Sequence, residues 1–331
     1  MRIAHFSDLH VLALEGVGWA RYMNKRLTGV ANLALRRAPL DELSGAWRAA
    51  AERMPKRFRK KNMHRTEFVR TVAREIAKTR VDHVVITGDV TNLALEPEFA
   101  AARAILEGEL HLGPSEISLV PGNHDLYTRG ALKERRFGQF FAEYTHCDTN
   151  AGVDIGAGHF PYVKLRGPCA IIGLSSAVPR LPFVAAGVLG EAQLDALSRA
   201  LEHPEVKRRT PIILLHHPPL GPQSKTKMMT EGLHDAAAFQ QRLQHLRHGL
   251  VLHGHLHKRI WGRIPTTYGS LTVVGAASAS LHHEHEARMS GFNVYEISDD
   301  GDLVSIESHV LDPSESTFHK EPIPEAPAHY W

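Results

Sequence analysis

Five times along this chain a short apolar run of strand length stops and gives way at once to Asp, His or Asn. The segments are Asp8-Leu9-His10 after Ile3–Ser7, Gly88-Asp89 after His83–Thr87, and Gly122-Asn123-His124-Asp125 after Ile117–Val120. Two more follow, His216-His217 after Ile212–Leu215 and Gly254-His255-Leu256-His257 after Leu250–Leu252. Short runs of Val, Ile and Leu bounded by turn residues read as buried strands. Groups at the ends of neighbouring strands converge on one edge of a sheet, where α/β proteins place their sites. The i, i+2 spacing of Asp8/His10 and His255/His257 points both side chains of each dyad the same way in extended chain. Each dyad can then grip a metal pair from one side. Gly88, Gly122 and Gly254 permit the sharp turns that present the next residue to an ion.

The rest of the chain supplies a frame for such an edge. Further runs at Ala170–Leu174, Leu271–Val274 and Phe292–Ile297 read as strands, and Thr66–Lys78, Pro97–Leu110 and Glu191–Leu201 carry apolar residues at helical spacing. Strands alternating with helices, then strand-dense sequence after Leu250, predict a layered α/β domain with mixed sheets over residues 1–312. Residues 11–62 interrupt the pattern and read as an inserted helical cap, in which 15–62 hold 12 Lys/Arg against 4 Asp/Glu, a net of +8 where the whole chain has only +3. Runs such as Met54–Lys61 are mostly solvated faces. The Pro-bearing stretch 313–331 reads as an extended surface tail.

Ligand chemistry narrows the activity. Two cysteines, Cys147 and Cys169, can form neither a disulfide framework nor a thiolate metal site, so they read as inert. Asp8, His10, Asp89, Asn123, His216, His255 and His257 make an N/O set suited to divalent transition metals, with Mn first and Fe, Zn, Co or Ni as alternatives. Seven ligands exceed what one ion with an open position can use. Two ions sharing a carboxylate would use them all, and such pairs clamp the oxygens of a phosphoryl displacement. That predicts a hydrolase in which a hydroxide bridging the ions attacks phosphorus in line.

The five blocks, in this order, resemble those of the calcineurin-like metallophosphoesterases. The resemblance implies a four-layer α/β/β/α sandwich of two mixed sheets with the metals at its edge. It also implies roles: Asp8, His10 and His257 hold the first ion, Asn123, His216 and His255 the second, and Asp89 bridges them. His124 would face the phosphate as general acid or donor to the leaving oxygen, supported by Asp125 or a backbone group. Gly88-Asp89-Val90-Thr91-Asn92-Leu93-Ala94 lacks the second Asp and the Arg that mark the protein Ser/Thr phosphatases, which disfavours a phosphoprotein substrate. The expected substrate is instead a small organic molecule of nucleotide or glycerol type, cleaved at a phosphodiester or pyrophosphate bond.

Asn24–Leu33 and Leu35-Arg36-Arg37 are similar to the cap of UDP-2,3-diacylglucosamine pyrophosphatases of lipid A synthesis, which makes that reaction the alternative. The basic cap would then touch the membrane surface from the cytoplasmic side. A non-catalytic membrane or nucleic-acid binder is a third reading, opposed by the complete ligand set; no nucleic-acid partner is expected. His217 and His253 read as supporting or packing residues, His5 as packing within the first strand, and His282–Glu286 as a polar loop near the rim of the site.

Overall fold

Continuous apolar runs form strands buried on both faces, and all eight runs do so with small shifts at their ends. The computed structural model describes residues 1–13, 63–126, 129–180, 184–221 and 224–326. The inserted cap expected over 11–62 therefore lies, from residue 14 onward, outside the described residues. In chain order the strands of the two large sheets are β1 (Arg2–Phe6), β2 (His83–Ile86), β3 (Ile117–Leu119), β4 (Tyr162–Arg166), β5 (Cys169–Gly173) and β6 (Thr210–Leu214). There follow β7 (Leu250–His253), β8 (Ile260–Thr266), β9 (Gly269–Gly275), β10 (Gly291–Ile297), β11 (Leu303–Asp312) and β12 (Thr317–Glu321).

The sheets are mixed and six-stranded, one in the order β12-β11-β10-β1-β2-β3 and the other β8-β9-β7-β6-β5-β4. Strands β1, β2 and β3 run parallel, as do β5, β6, β7 and β9. Side-chain alternation builds the layers. On the second sheet Ile171, Ile212, Leu214, Leu250, Leu252 and Val274 join the core of the first sheet. Their neighbours Ile172, Ile213, Val251 and Val273 point the other way, onto Leu194, Leu197 and Leu201 of helix α3 (Glu191–Glu202) and Phe239 of α4 (Ala236–Arg242). The first sheet is covered by α1 (Thr66–Thr79), through Val69, Val72 and Ile76, and by α2 (Glu96–Glu109), through Phe99, Ala102 and Ile105. The four-layer α/β/β/α sandwich is the result.

Strands β4, β8, β11 and β12 carry no continuous apolar run. They lie at or next to sheet edges, and β8 alternates more with less buried positions along Ile260–Thr266. Beyond Pro313 the described residues, up to 326, dock against both sheets. Strand β12 pairs antiparallel with β11, and Trp261 on β8 then exchanges backbone hydrogen bonds with Pro324 and Ala326 at 3.0 and 2.8 Å. Pairing on both sheet edges satisfies backbone groups that a loose tail would leave to water.

Phe99 has no exposed surface and stacks on Phe140 with ring centroids 5.5 Å apart. Phe99→Ala is expected to cost about 3–5 kcal/mol in urea unfolding while leaving metal stoichiometry unchanged.

Candidate metal centre

Parallel order within each sheet puts the carboxyl ends of β1, β2, β3, β6 and β7 on a common edge, and all five ligand blocks begin there. Cross-bonds hold the two sheets in register at that edge. His255 donates its N–H to the Asp8 carboxylate at 3.1 Å, and Ala279 to the Ser7 carbonyl at 2.8 Å. Asp8, His10, Asp89, Asn123 and His216 are all buried.

The turns at this edge are left-handed. Asp8, His10, Asp89, His255 and His257 have φ of 55, 45, 51, 68 and 47°, half of the ten non-glycine residues in that region among those described. Side chains there cost of order 1–2 kcal/mol each, so the strain collects on the proposed ligands. Asp8 and His10 still meet, with Asp8 Oδ1 3.9 Å from His10 Nε2, but the second dyad departs from the extended picture. His255 and His257 diverge rather than point one way: His255 Nδ1 lies 3.1 Å from Asn123 Oδ1 and 3.3 Å from His216 Nε2, whereas His257 Nε2 lies 3.1 Å from both Asp8 Oδ1 and His10 Nε2. Two clusters form, and Asp89 stands between them with Oδ2 3.3 Å from His216 Nε2 and 3.9 Å from His10 Nε2.

The glycines also differ from expectation. Only Gly88 uses a left-handed turn, at φ 95°. Gly122 and Gly254 are needed for close approach: a Cβ on Gly122 would lie 2.1 Å from Asp89 Oδ1, and one on Gly254 2.5 Å from Asp8 Oδ2.

Electrostatics decide whether a cation fits. Thr87's carbonyl lies 2.7 Å from His216 Nδ1, which fixes the proton there and turns the Nε2 lone pair toward Asn123 Oδ1 at 3.1 Å and Asp89 Oδ2. Three acceptors then face one another and need a positive charge between them. Burial works against a charged His216, yet Asp89 and Asp8 overcome it and push its pKa up to about 9. Burial likewise opposes charge on Asp8 and Asp89, but His257 and His216 outweigh it at the first, and His216 and His124 at the second. Both carboxyls lie below their ordinary range. His255 is pushed down to about 3 by burial and by His216, which leaves it a neutral donor. Buried carboxylates with neutral imidazoles and an amide oxygen fit divalent transition ions.

His124 donates its backbone N–H to Asp89 Oδ1 at 2.7 Å, and its Nδ1 lies 2.7 Å from the Asn92 carbonyl. Of the two supports considered for His124, the backbone group is the one present. Asp125 is placed differently. Its carboxylate accepts from Val90 N, Thr91 N, Thr91 Oγ1 and Gly122 N at 3.2, 2.9, 2.8 and 2.9 Å, tying the loop after β2 to the loop after β3. Asp125 thus braces these loops, with four donors on its two carboxylate oxygens.

His217 sits behind the site, with Nδ1 2.8 Å from Ser176 Oγ and Nε2 2.7 Å from the Ala185 carbonyl. His5 bridges Tyr295 and Thr87 inside the first sheet, and His253 lies buried against the Gly254 carbonyl. Just beyond the His282–Glu286 loop, Arg288 donates to the Leu256 carbonyl at 3.1 Å, between His255 and His257. One residue enters unannounced. His64 packs against His10 and His257, with ring centroids 4.6 and 5.3 Å away. No motif marks it; only the pairing of 63–64 with Leu281–His282 brings it there.

A family model for the calcineurin-like phosphoesterases matches residues 1–259. The chain belongs to that family. Membership makes it a metal-dependent phosphohydrolase and implies two divalent ions, which the donor set fits. No curated protein matches in sequence. Among solved structures, a purple acid phosphatase from yellow lupin (Lupinus luteus) seeds aligns with TM-score 0.57 at 11% identity, over 96% of this chain and 52% of its own. This chain thus spans about half of the lupin protein, and at that identity the likeness speaks to fold alone. A dimetal phosphatase from Danio rerio aligns with TM-score 0.48 at 13% identity, over 89% of this chain and 92% of its own.

Asp125→Asn would set an amide NH₂ against a backbone N–H donor. It is expected to lower stability by about 1–3 kcal/mol and to weaken metal binding with it. A slower rate at unchanged melting temperature and metal content would return Asp125 to the reaction.

Proposed function

We propose that the protein hydrolyses phosphodiester or pyrophosphate bonds of a small organic substrate. The observation that carries this reading is the Asp89 carboxylate, one oxygen of which lies between the two ligand clusters while the other receives the His124 N–H. Asp8, His10, Asp89 and His257 would hold one ion, and Asp89, Asn123, His216 and His255 the other. Once bound, two divalent ions polarise phosphoryl oxygens and make water acidic enough to act at neutral pH.

The protein's own part is positioning. Because Nδ1 of His124 is engaged by the Asn92 carbonyl, Nε2 is the nitrogen that can carry a proton to the leaving oxygen. A half-buried imidazole suits an alcohol or nucleotide leaving group, which a diester or pyrophosphate supplies. The missing Asp and Arg after Asp89 support a small substrate over a phosphoprotein. The UDP-2,3-diacylglucosamine alternative rests on cap residues outside those described, so a substrate panel decides it. Among the described residues no helix is long and apolar enough to cross a membrane. Two unpaired cysteines fit a reducing, cytoplasmic compartment.

With Mn, Fe, Co, Ni or Zn supplied, bis(p-nitrophenyl) phosphate should turn over faster than its monoester. Preference for the monoester refutes the diester claim, and no turnover with any metal refutes the enzyme reading. Asp89→Asn should lose metal and activity together. His124→Ala should keep both ions by elemental analysis and lose about 10²–10⁴-fold in rate; a normal rate in either variant removes the role assigned to it.

A further inference from the structure

His64 belongs to no motif, yet one ring nitrogen each of His10, His64 and His257 lies within 4.8 Å of the others. Its orientation is set by two serines. Ser278 Oγ donates to the Asp8 carbonyl at 2.6 Å, and Ser280 Oγ lies 3.2 Å from the same carbonyl and 3.1 Å from Ser278 Oγ. With the Ser280 proton also on the Asp8 carbonyl, Ser280 Oγ is left as an acceptor for His64 Nδ1, 2.8 Å away. That arrangement gives His64 the tautomer with its proton on Nδ1 and its lone pair on Nε2. A metal-ligating histidine is usually oriented by such a bond on its other nitrogen.

The backbone holds the same arrangement. Residues 63–64 pair antiparallel with Leu281–His282, and Arg65 donates its N–H to the Ser280 carbonyl at 2.6 Å. The two hydroxyls that orient His64 also grip the backbone of Asp8, so the ligand and its neighbour share one support.

We propose that His64 is an additional protein ligand to the ion held by Asp8, His10, Asp89 and His257, making three imidazoles at that position against two at the other. This rests on the dinuclear reading above. An extra imidazole raises the affinity of the first position for late transition ions and fills one of its coordination positions.

The test uses the full chain, stripped of metal and titrated with Mn²⁺ by calorimetry, with cobalt absorption spectra of the reloaded protein. The wild type should bind two ions. His64→Ala and the near-isosteric His64→Gln should each weaken one of the two sites at least tenfold, about 1.4 kcal/mol, and change the cobalt spectrum. Ser280→Ala should weaken the same site by less. Melting of the metal-free variants identifies the folded ones, and the glutamine variant carries the test if the alanine variant misfolds. Both Mn²⁺ constants within twofold of wild type in a folded variant, with an unchanged cobalt spectrum, overturn the proposal. So does a loss confined to the affinity for inorganic phosphate, which would make His64 a substrate contact. A wild type that binds fewer than two ions overturns the dinuclear reading itself and this proposal with it.

Discussion

Two carboxylates, Asp8 and Asp89, lie fully buried and charged where the sheets meet, and the molecule is arranged around what that requires. An isolated buried carboxylate would take up a proton rather than stay charged. Here Asn123 Oδ1 and the lone pairs of four imidazoles surround the pair, so nearby acceptors deepen the demand for positive charge. A raised pKa on His216 shows the same demand expressed through a proton. Two divalent cations would meet it, and the affinity of the site for them is the complement of its instability without them.

Holding such groups together takes structure that does no chemistry. Left-handed turns at Asp8, His10, Asp89, His255 and His257 are strained, and backbone bonds across the two sheets keep them in place. Asp125 ties the β2 and β3 loops, Ser278 and Ser280 hold the Asp8 carbonyl, and the Thr87 and Asn92 carbonyls set the tautomers of His216 and His124. Most of these supports are backbone atoms or small hydroxyls. Their identity leaves little trace in a sequence, because almost any residue offers a carbonyl.

What was legible followed from burial. A strand covered on both faces must be apolar throughout, so the eight apolar runs and the ligands at their ends could be read directly. Strands β4, β8, β11 and β12 mix charged and polar residues with apolar ones and went unmarked for that reason. His255 and His257 diverge because i, i+2 spacing implies a shared direction only in extended backbone, and these residues are left-handed. Asp125 looked catalytic from its place beside His124, although a carboxylate's role depends on which donors reach it. His64 had no signal at all: its neighbours in space, His10, His257 and Ser280, lie far from it in sequence.

The amino-acid sequence by itself determined the reaction chemistry, since ligand type and order survive any detail of folding. Burial demands on the inner strands settled the fold class in the same way. Only the tertiary structure decided which nitrogen of each histidine carries a proton, and that His64 stands beside the first cluster. Those facts depend on distances of about 3 Å between groups on different strands, and they exist only once the two sheets have packed face to face.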